Sequence, residues 1–354
     1  MTLPPAPTKP LRVGFLALTD AAPLVVAEER GLFAARGLQV ELRREIGWAT
    51  VRDKIIYGEL DAAHAPAPLL WSAQLGIHCP PCDVTTGLVL NHHGNAVTLS
   101  RRLWDAGIRD DAALRLHVKQ RKARQPVTLA VVFPFSSHHL LLRQWLAGLQ
   151  LDAASDVRIV VVPPAQVFRN LAAGTIDGFC AGEPWNTLAS QEGIGWGRLC
   201  SAVEMPGHIE KVLMVRTAFA VRRAAEHRAL LDAITEAAAW CDEPQHREPL
   251  AALLASPRYL NVPAAAIAPT LLGRFARGPG ETDSVPDFHR FHRGGINLPD
   301  PARAAELQDA LIGAGLLPAT VDRTLPARLF RPDLAPSSSS TTHHALAEAK
   351  ILPS

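Results

Sequence analysis

Short apolar runs alternate with amphipathic stretches along the first two thirds of the chain, and turn residues separate them, a pattern that predicts repeated strand–helix units. Residues 12–18 read as a buried strand. Residues 23–30 read as a helix that breaks near Gly31, and 32–36 continue it to a stop at Gly37. Leu38, Val40 and Leu42 alternate with polar neighbours, as in a half-exposed strand. Residues 50–57 predict a helix with Thr50 as N-cap, Asp53 three positions on and Gly58 as C-cap. A short strand at 60–64, a helix at 66–75 ended by Gly76, and strands at 84–90 and 96–100 complete this unit.

A second alternating unit follows. It has a strand at 127–133, then a helix capped by Ser137 and carrying Leu140, Leu141, Trp145, Leu146 and Leu149. Strands at 157–162 and 176–180 flank a helix at 164–173, a helix at 184–191 comes next, and a strand at 212–218 leads back. Beyond Val221 the periodicity is helical, at 222–240, 247–254, 264–274 and 301–314, and these helices are expected to pack on the first unit. Two units joined by crossings near residues 100 and 215 predict an α/β chain of two lobes with a ligand cleft between them. Residues 11–100 plus 216–330 form the first lobe, 101–215 the second, and 331–354 a Pro/Ser-rich tail. Within that tail the Ser/Thr run 337–342 reads as a flexible linker, and 345–352 has the pattern of a short docking helix. The layout is that of a type II periplasmic-binding-protein fold, whose lobes close on a ligand by hinge motion.

Composition narrows the function classes. A hydrophobic content of 48% suffices for a core of this size, and a net charge of +2 argues against a broad nucleic-acid-binding face. The local basic run 119–124 reads as a solvated connection before the next strand. The apolar runs fall far short of the ~20 residues that a bilayer span needs. The first ten residues hold no apolar h-region and no small-residue cleavage site, so with Met1 as the true start the protein is expected in the cytoplasm. Five cysteines, an odd number, then argue for free thiols. Cys79-Pro80-Pro81-Cys82 is the one pair at metal or redox spacing, and without a second pair it is a weak zinc signal. No metal and no cofactor are expected.

The strand-to-helix turns hold the polar groups that a small anion needs, since ligands collect at the carboxyl ends of strands beside helix N-termini. A planar monovalent anion requires several donors around a small cavity, a buried cation, and apolar surface to exclude water. Trp48 can donate from its indole N–H, His138 from a ring nitrogen and Asn95 from its amide, while Lys211 can supply the cation. The turn Gly182-Glu183-Pro184, with Trp185 and Asn186 opening the next helix, reads as a wall of such a site, as does Ser137. Each residue also has a plainer reading. Trp48 fits a core aromatic, His138 a capping histidine, Lys211 a partner of Glu210, Asn95 a hairpin turn, and Arg52 with Asp53 a surface pair. His138, His139 and Cys180 do not make a persuasive nucleophile–base pair, so an enzyme is not expected.

The pattern resembles the nitrate/bicarbonate-binding proteins of ABC uptake systems. The resemblance runs from about residue 11 to 320 and is marked by Gly47 to Asp53, Leu60 to Pro68, Phe133-Pro134 with Ser137-His138, Gly174 to Asn186, and Glu210-Lys211-Val212. It implies an anion held by Trp48, Asn95, His138 and Lys211, with main chain near Phe135 and Pro163. Asn95 replaces that family's usual glutamine, and His139 stands where transporter proteins often carry an acid. A lysine at 211 implies nitrate or nitrite in preference to bicarbonate. Among such proteins the chain looks like the cytoplasmic NasS-type sensors, which hold an RNA-binding antiterminator of the ANTAR class (NasT type) and release it when the anion binds, so that nitrate assimilation genes are read through. The alternatives are the binding component of a nitrate transporter whose start codon was misassigned, and a relative of the thiamine-pyrimidine synthase that shares the fold.

Overall fold

A computed structural model describes residues 9–336. Its strands are β1 (Leu11–Leu16), β2 (Val40–Glu45), β3 (Ala62–Pro66), β4 (Val84–His93), β5 (Asn95–Ser100), β6 (Thr128–Val131), β7 (Arg158–Val161), β8 (Gly178–Gly182), β9 (Gly195–Cys200), β10 (Ile209–Arg216), β11 (Arg274–Ala276), β12 (Thr282–Ser284) and β13 (His289–Arg290). They form a six-stranded sheet in the order β13-β4-β10-β3-β1-β2, a five-stranded sheet in the order β7-β6-β8-β5-β9, and a two-stranded ribbon of β11 and β12. In the larger sheet β1 pairs in parallel with β2 and β3, whereas β10 runs antiparallel to β3 and β4. The five-stranded sheet repeats the mixture, with β6 parallel to β7 and β8, and β5 antiparallel to β8 and β9.

Burial follows the sequence pattern. The apolar runs of β1 and β4 lie inside, as expected of strands covered on both faces. The alternating β2 stands at the sheet edge, half in water. Helix Ala224–Asp242 turns Leu230, Leu231, Ile234, Ala237, Ala238 and Cys241 inward, a stripe at helical spacing, and each large aliphatic side chain so buried contributes about 1.5–3 kcal/mol. Trp71 joins the C-terminal helices to the first lobe: its Nε1 donates to Gln308 Oε1 at 2.8 Å, and its ring lies 6.1 Å from that of Phe330. One apolar cluster bridges the two sheets, with Leu16, Leu18 and Trp48 from the first lobe and Phe133, Phe135, Leu140, Val162 and Trp185 from the second.

Both crossings lie earlier than the hydrophobic pattern suggests. The chain leaves the large sheet at Gly94, so β5 belongs to the second lobe. It returns between Cys200 and Ile209, so β10 belongs to the first. Residues 95–100 and 209–215 thus exchange lobes relative to the boundaries at 100 and 215. A strand's apolar run reports burial but not which sheet buries it, which is why the pattern misplaces them. Gly94 makes the sharp first crossing possible: its φ is +100°, and a Cβ there would lie 2.9 Å from His289 Nδ1.

Several local expectations also change. Ser136, not Ser137, caps helix Ser137–Gly148, accepting from His139 N. Helix Trp48–Ile56 starts two residues before Thr50, with Gly47 at the N-cap position. The basic run ends helix Asp111–Arg121 and is partnered: Lys119 and Lys122 hold Asp156 at 2.6 and 2.7 Å. The start of the tail is seated on the first lobe, where Arg331 N donates to Thr86 O at 3.0 Å and residues Pro332–Leu334 form one 3-10 turn. The Ser/Thr run 337–342 and the segment 345–352, expected from sequence as a docking helix, lie outside the described residues.

Asp242, at the end of the long helix, anchors the β13 edge. Its Oδ1 meets Arg247 Nη2 at 2.5 Å, and its Oδ2 accepts the backbone N–H groups of Phe291, His292 and Arg293 at 3.0, 2.6 and 2.7 Å.

Candidate functional site

The carboxyl ends of β1 and β3 and the amino end of β10 meet at one edge of the large sheet, because β10 runs antiparallel to its neighbour, with Lys211 paired to Pro66. The second sheet faces this edge with the start of β5, the end of β8 and the N-terminus of helix Ser137–Gly148. The lobes come close here. A Cβ on Gly182 would lie 3.3 Å from Leu18 Cδ2, 3.5 Å from Asn95 Oδ1 and 3.6 Å from Asp20 Oδ2. Glu183 O accepts from Thr19 N at 2.8 Å.

Lys211 lies at the centre and is fully buried. Its Nζ is 2.6 Å from Asp20 Oδ2 and 2.5 Å from Glu210 Oε1, and it stands 5.4 Å from the centroid of the Trp48 ring. The plainer reading, in which Lys211 pairs with Glu210, is therefore present in the structure, with Asp20 as a second partner. Asp20 also meets His64 Nε2 at 2.8 Å, and the His64 ring lies 5.5 Å from that of Trp48. Glu210 is gripped from the opposite lobe. Ser137 Oγ and Asn95 Nδ2 donate to its Oε2, the latter at 2.5 Å, and His138 Nε2 lies 3.7 Å from Oε1. His208 faces Met205 O with one ring nitrogen at 3.0 Å and Glu210 Oε2 with the other at 3.2 Å.

Burying this many charges is costly unless each is compensated. Burial alone would raise the carboxyls of Asp20 and Glu210, but Lys211 above all holds both well below the usual range. Burial would likewise lower the Lys211 ammonium, and the two carboxylates hold it above its ordinary value. Burial keeps His64 below its usual value and brings His138 down to about 4, so both are neutral near pH 7. Asp20, Glu210 and Lys211 together leave one negative charge in excess.

The structure thus brings together Trp48, Asn95, Ser137, His138, Gly182, Glu183 and Lys211. Pro163 stands 4.0 Å from where a Gly47 Cβ would be, beside Trp48; Phe135 and Trp185 are buried in the apolar cluster that bridges the two sheets, and Pro184 is buried next to Trp185. Asn95 is the first residue of β5 and not a hairpin turn. Asp20, His64 and the carboxylate role of Glu210 escaped the sequence reading. Asp20 follows the carboxyl end of a central strand, and that position was the signal available for it. Several buried nitrogens keep no hydrogen-bond partner among the described residues: the indole N–H groups of Trp48 and Trp185, and both ring nitrogens of His138, one of which carries the N–H of the neutral ring. A pocket of about 280 Å³, lined by Ser137, Leu140, Met205, His208, Ile209 and Leu307 among others, reaches two of the groups that hold Glu210.

Glu183 adds a pH-sensitive element. Its Oε2 accepts from Thr187 N at 3.0 Å, its Oε1 has no partner among the described residues, and burial pushes its carboxyl up to about 7. A folded-state value above the unfolded one means that stability is lost as pH rises through about 7. Glu183→Gln is expected to raise stability by about 1–3 kcal/mol near pH 8.5, with a much smaller gain near pH 5. Urea midpoints at the two pH values measure this, and equal shifts would count against a titrating Glu183.

Among the described residues, no group of three or more His, Cys, Asp or Glu is placed to hold a metal ion, and no helix is long and apolar enough to cross a membrane. Cys79 and Cys82 are free half-buried thiols, each pushed up by burial. Cys180 is fully buried and its thiol is pushed well up by the same cause, which suppresses the thiolate that a nucleophile would need.

A family model described as the NMT1-like family matches residues 4–255. The nitrate/nitrite binding protein NrtA of Synechococcus elongatus is 32% identical over 338 residues, which cover 92% of this chain and 76% of that protein. The nitrate import ATP-binding protein NrtC of Synechocystis sp. is 38% identical over 292 residues, 82% of this chain, and the match spans 43% of that longer protein. The crystal structure of the periplasmic nitrate-binding protein NrtA from Synechocystis PCC 6803 superposes with a TM-score of 0.87 at 28% identity, covering 92% of this chain and 86% of that one. The alkanesulfonate-binding protein SsuA from Xanthomonas axonopodis shares the fold, with a TM-score of 0.65 at 17% identity. Sequence and architecture agree: this chain belongs to the NMT1-like family, is a homologue of NrtA, and has its α/β periplasmic-binding-protein-like fold.

Proposed function

We propose that the protein binds nitrate or nitrite at the lobe junction around Lys211, as a binding protein and not an enzyme. The observation that carries this reading is a pair of buried polar groups without partners among the described residues, the Trp48 indole N–H and the His138 ring, which has one N–H to donate when neutral, beside the buried ammonium. Unsatisfied buried donors are costly, so an acceptor that reaches them gains the full value of the bonds. The names of the NrtA relatives support the choice of anion.

Calorimetry with nitrate, nitrite and bicarbonate tests the reading. Wild-type protein is expected to bind nitrate or nitrite. Trp48→Phe keeps the ring but removes the N–H, and affinity is expected to fall about tenfold or more. Absence of binding to all three anions would overturn the reading.

On the finer level, the protein is proposed to work in the cytoplasm as a NasS-type sensor. In that role it holds an ANTAR-class antiterminator and releases it when the anion stabilises a form of low partner affinity. The relatives' names favour a second reading, the binding component of a nitrate transporter. Titrating nitrate into the purified complex with the antiterminator separates them: dissociation supports the sensor, and failure to form any complex supports the transporter.

A further inference from the structure

We propose that anion binding at this site is coupled to uptake of one proton by His138, which then bridges the bound anion and Glu210 as an imidazolium. The inference rests on the anion-binding reading above and adds its pH control. His138 opens helix Ser137–Gly148 and is fully buried; its Nε2 is 3.7 Å from Glu210 Oε1, and neither ring nitrogen has a hydrogen-bond partner among the described residues. A neutral imidazole has one N–H and one lone pair. With the Glu210 carboxylate on one side and an anion on the other, the neutral ring must point its lone pair at a negative charge. The imidazolium donates to both.

The surrounding charges lead the same way. The groups acting on His138 are Glu210 and Lys211 from β10, Asp20 from the turn after β1, and His208 from the segment before β10. On its own helix His139 is engaged elsewhere, with Nδ1 2.9 Å from Pro134 O. Both carboxylates already pair with Lys211, so an added anion brings a charge that this buried ammonium does not balance. Glu210 is a poor recipient for the proton, because Ser137, Asn95 and Lys211 all stabilise its charged form. Without the anion, burial keeps His138 neutral at pH 7, with its value down to about 4. The proton is therefore taken up on binding.

The sign follows from linkage. The bound form holds one more proton than the free form, so affinity falls as pH rises. The fall is up to about tenfold per pH unit above about pH 4, until His138 of the bound form itself titrates.

The test is calorimetry of the full chain with sodium nitrate and with sodium nitrite near about pH 6.5, in buffers of different ionisation enthalpy, repeated on Glu210→Gln. Wild type is expected to show a buffer-dependent enthalpy equivalent to uptake of about one proton. Glu210→Gln removes the second negative neighbour, so its uptake is expected to fall to about a third or less, with a flatter affinity profile against pH. If the variant does not fold, the wild-type buffer series decides alone. Binding with no buffer dependence, or with proton release, overturns the proton coupling and leaves the anion reading standing. No binding of either anion overturns both.

Discussion

Lys211→Met is expected to abolish anion binding and to lower stability by about 3–5 kcal/mol, because it removes one member of a buried charge network. Asp20 and Glu210 are both buried, and Lys211 is the cation within 2.6 Å of each. Without it the two carboxylates repel one another in a poorly solvated space, and an incoming anion meets net negative charge. On the sequence alone Lys211 is a single cation, and Lys211→Ala should remove binding while leaving the fold intact. The structure revises that, because this lysine is also a structural partner. The double variant Lys211→Met/Glu210→Gln is expected to recover part of the lost stability without recovering binding, since it leaves one uncompensated carboxylate and not two. Urea unfolding reads the first effect and calorimetry the second. Undiminished nitrate affinity in Lys211→Met would remove this residue from the site.

Asp242→Ala is expected to cost about 3–5 kcal/mol, although it lies outside the proposed site. The change leaves the buried Arg247 guanidinium without its carboxylate and strips the acceptor from three consecutive backbone N–H groups at 291–293. Asp242→Asn keeps an oxygen for those N–H groups and loses only the charge, so it should cost less than alanine. Urea midpoints order the three proteins as wild type, asparagine, alanine. Asparagine equal to alanine would mean that the pairing with Arg247 outweighs the backbone contacts. Alanine within about 0.5 kcal/mol of wild type would mean that the anchor carries little of the fold's stability.

The site was partly visible in the order of residues. Trp48, Asn95, His138 and Lys211 all fall at strand ends or helix starts, and the two-lobed topology brings those ends together. The missing members have a common cause. Asp20 and His64 are separated by 44 positions and touch only because β1 and β3 are parallel neighbours with their carboxyl ends aligned. Glu210 reads as the neighbour of Lys211, and nothing local indicates that Asn95 and Ser137 reach it from the other lobe. Capping preferences do not distinguish adjacent serines, so sequence alone points to Ser137 as the helix cap; Ser136 takes the cap, and that leaves Ser137 free to donate across the cleft.

By itself the sequence determined the alternation of strands and helices, the two-lobed plan and the types of donor at the cleft, since all of these follow from hydrophobic period, turn chemistry and side-chain inventory. Only the tertiary structure decided which sheet β5 and β10 join, and that Lys211 arrives already neutralised by two carboxylates. The physical reason is that burial, charge compensation and hydrogen-bond satisfaction depend on distances between residues far apart in the chain. A linear pattern of polar and apolar positions specifies which groups are present, but not which of them meet.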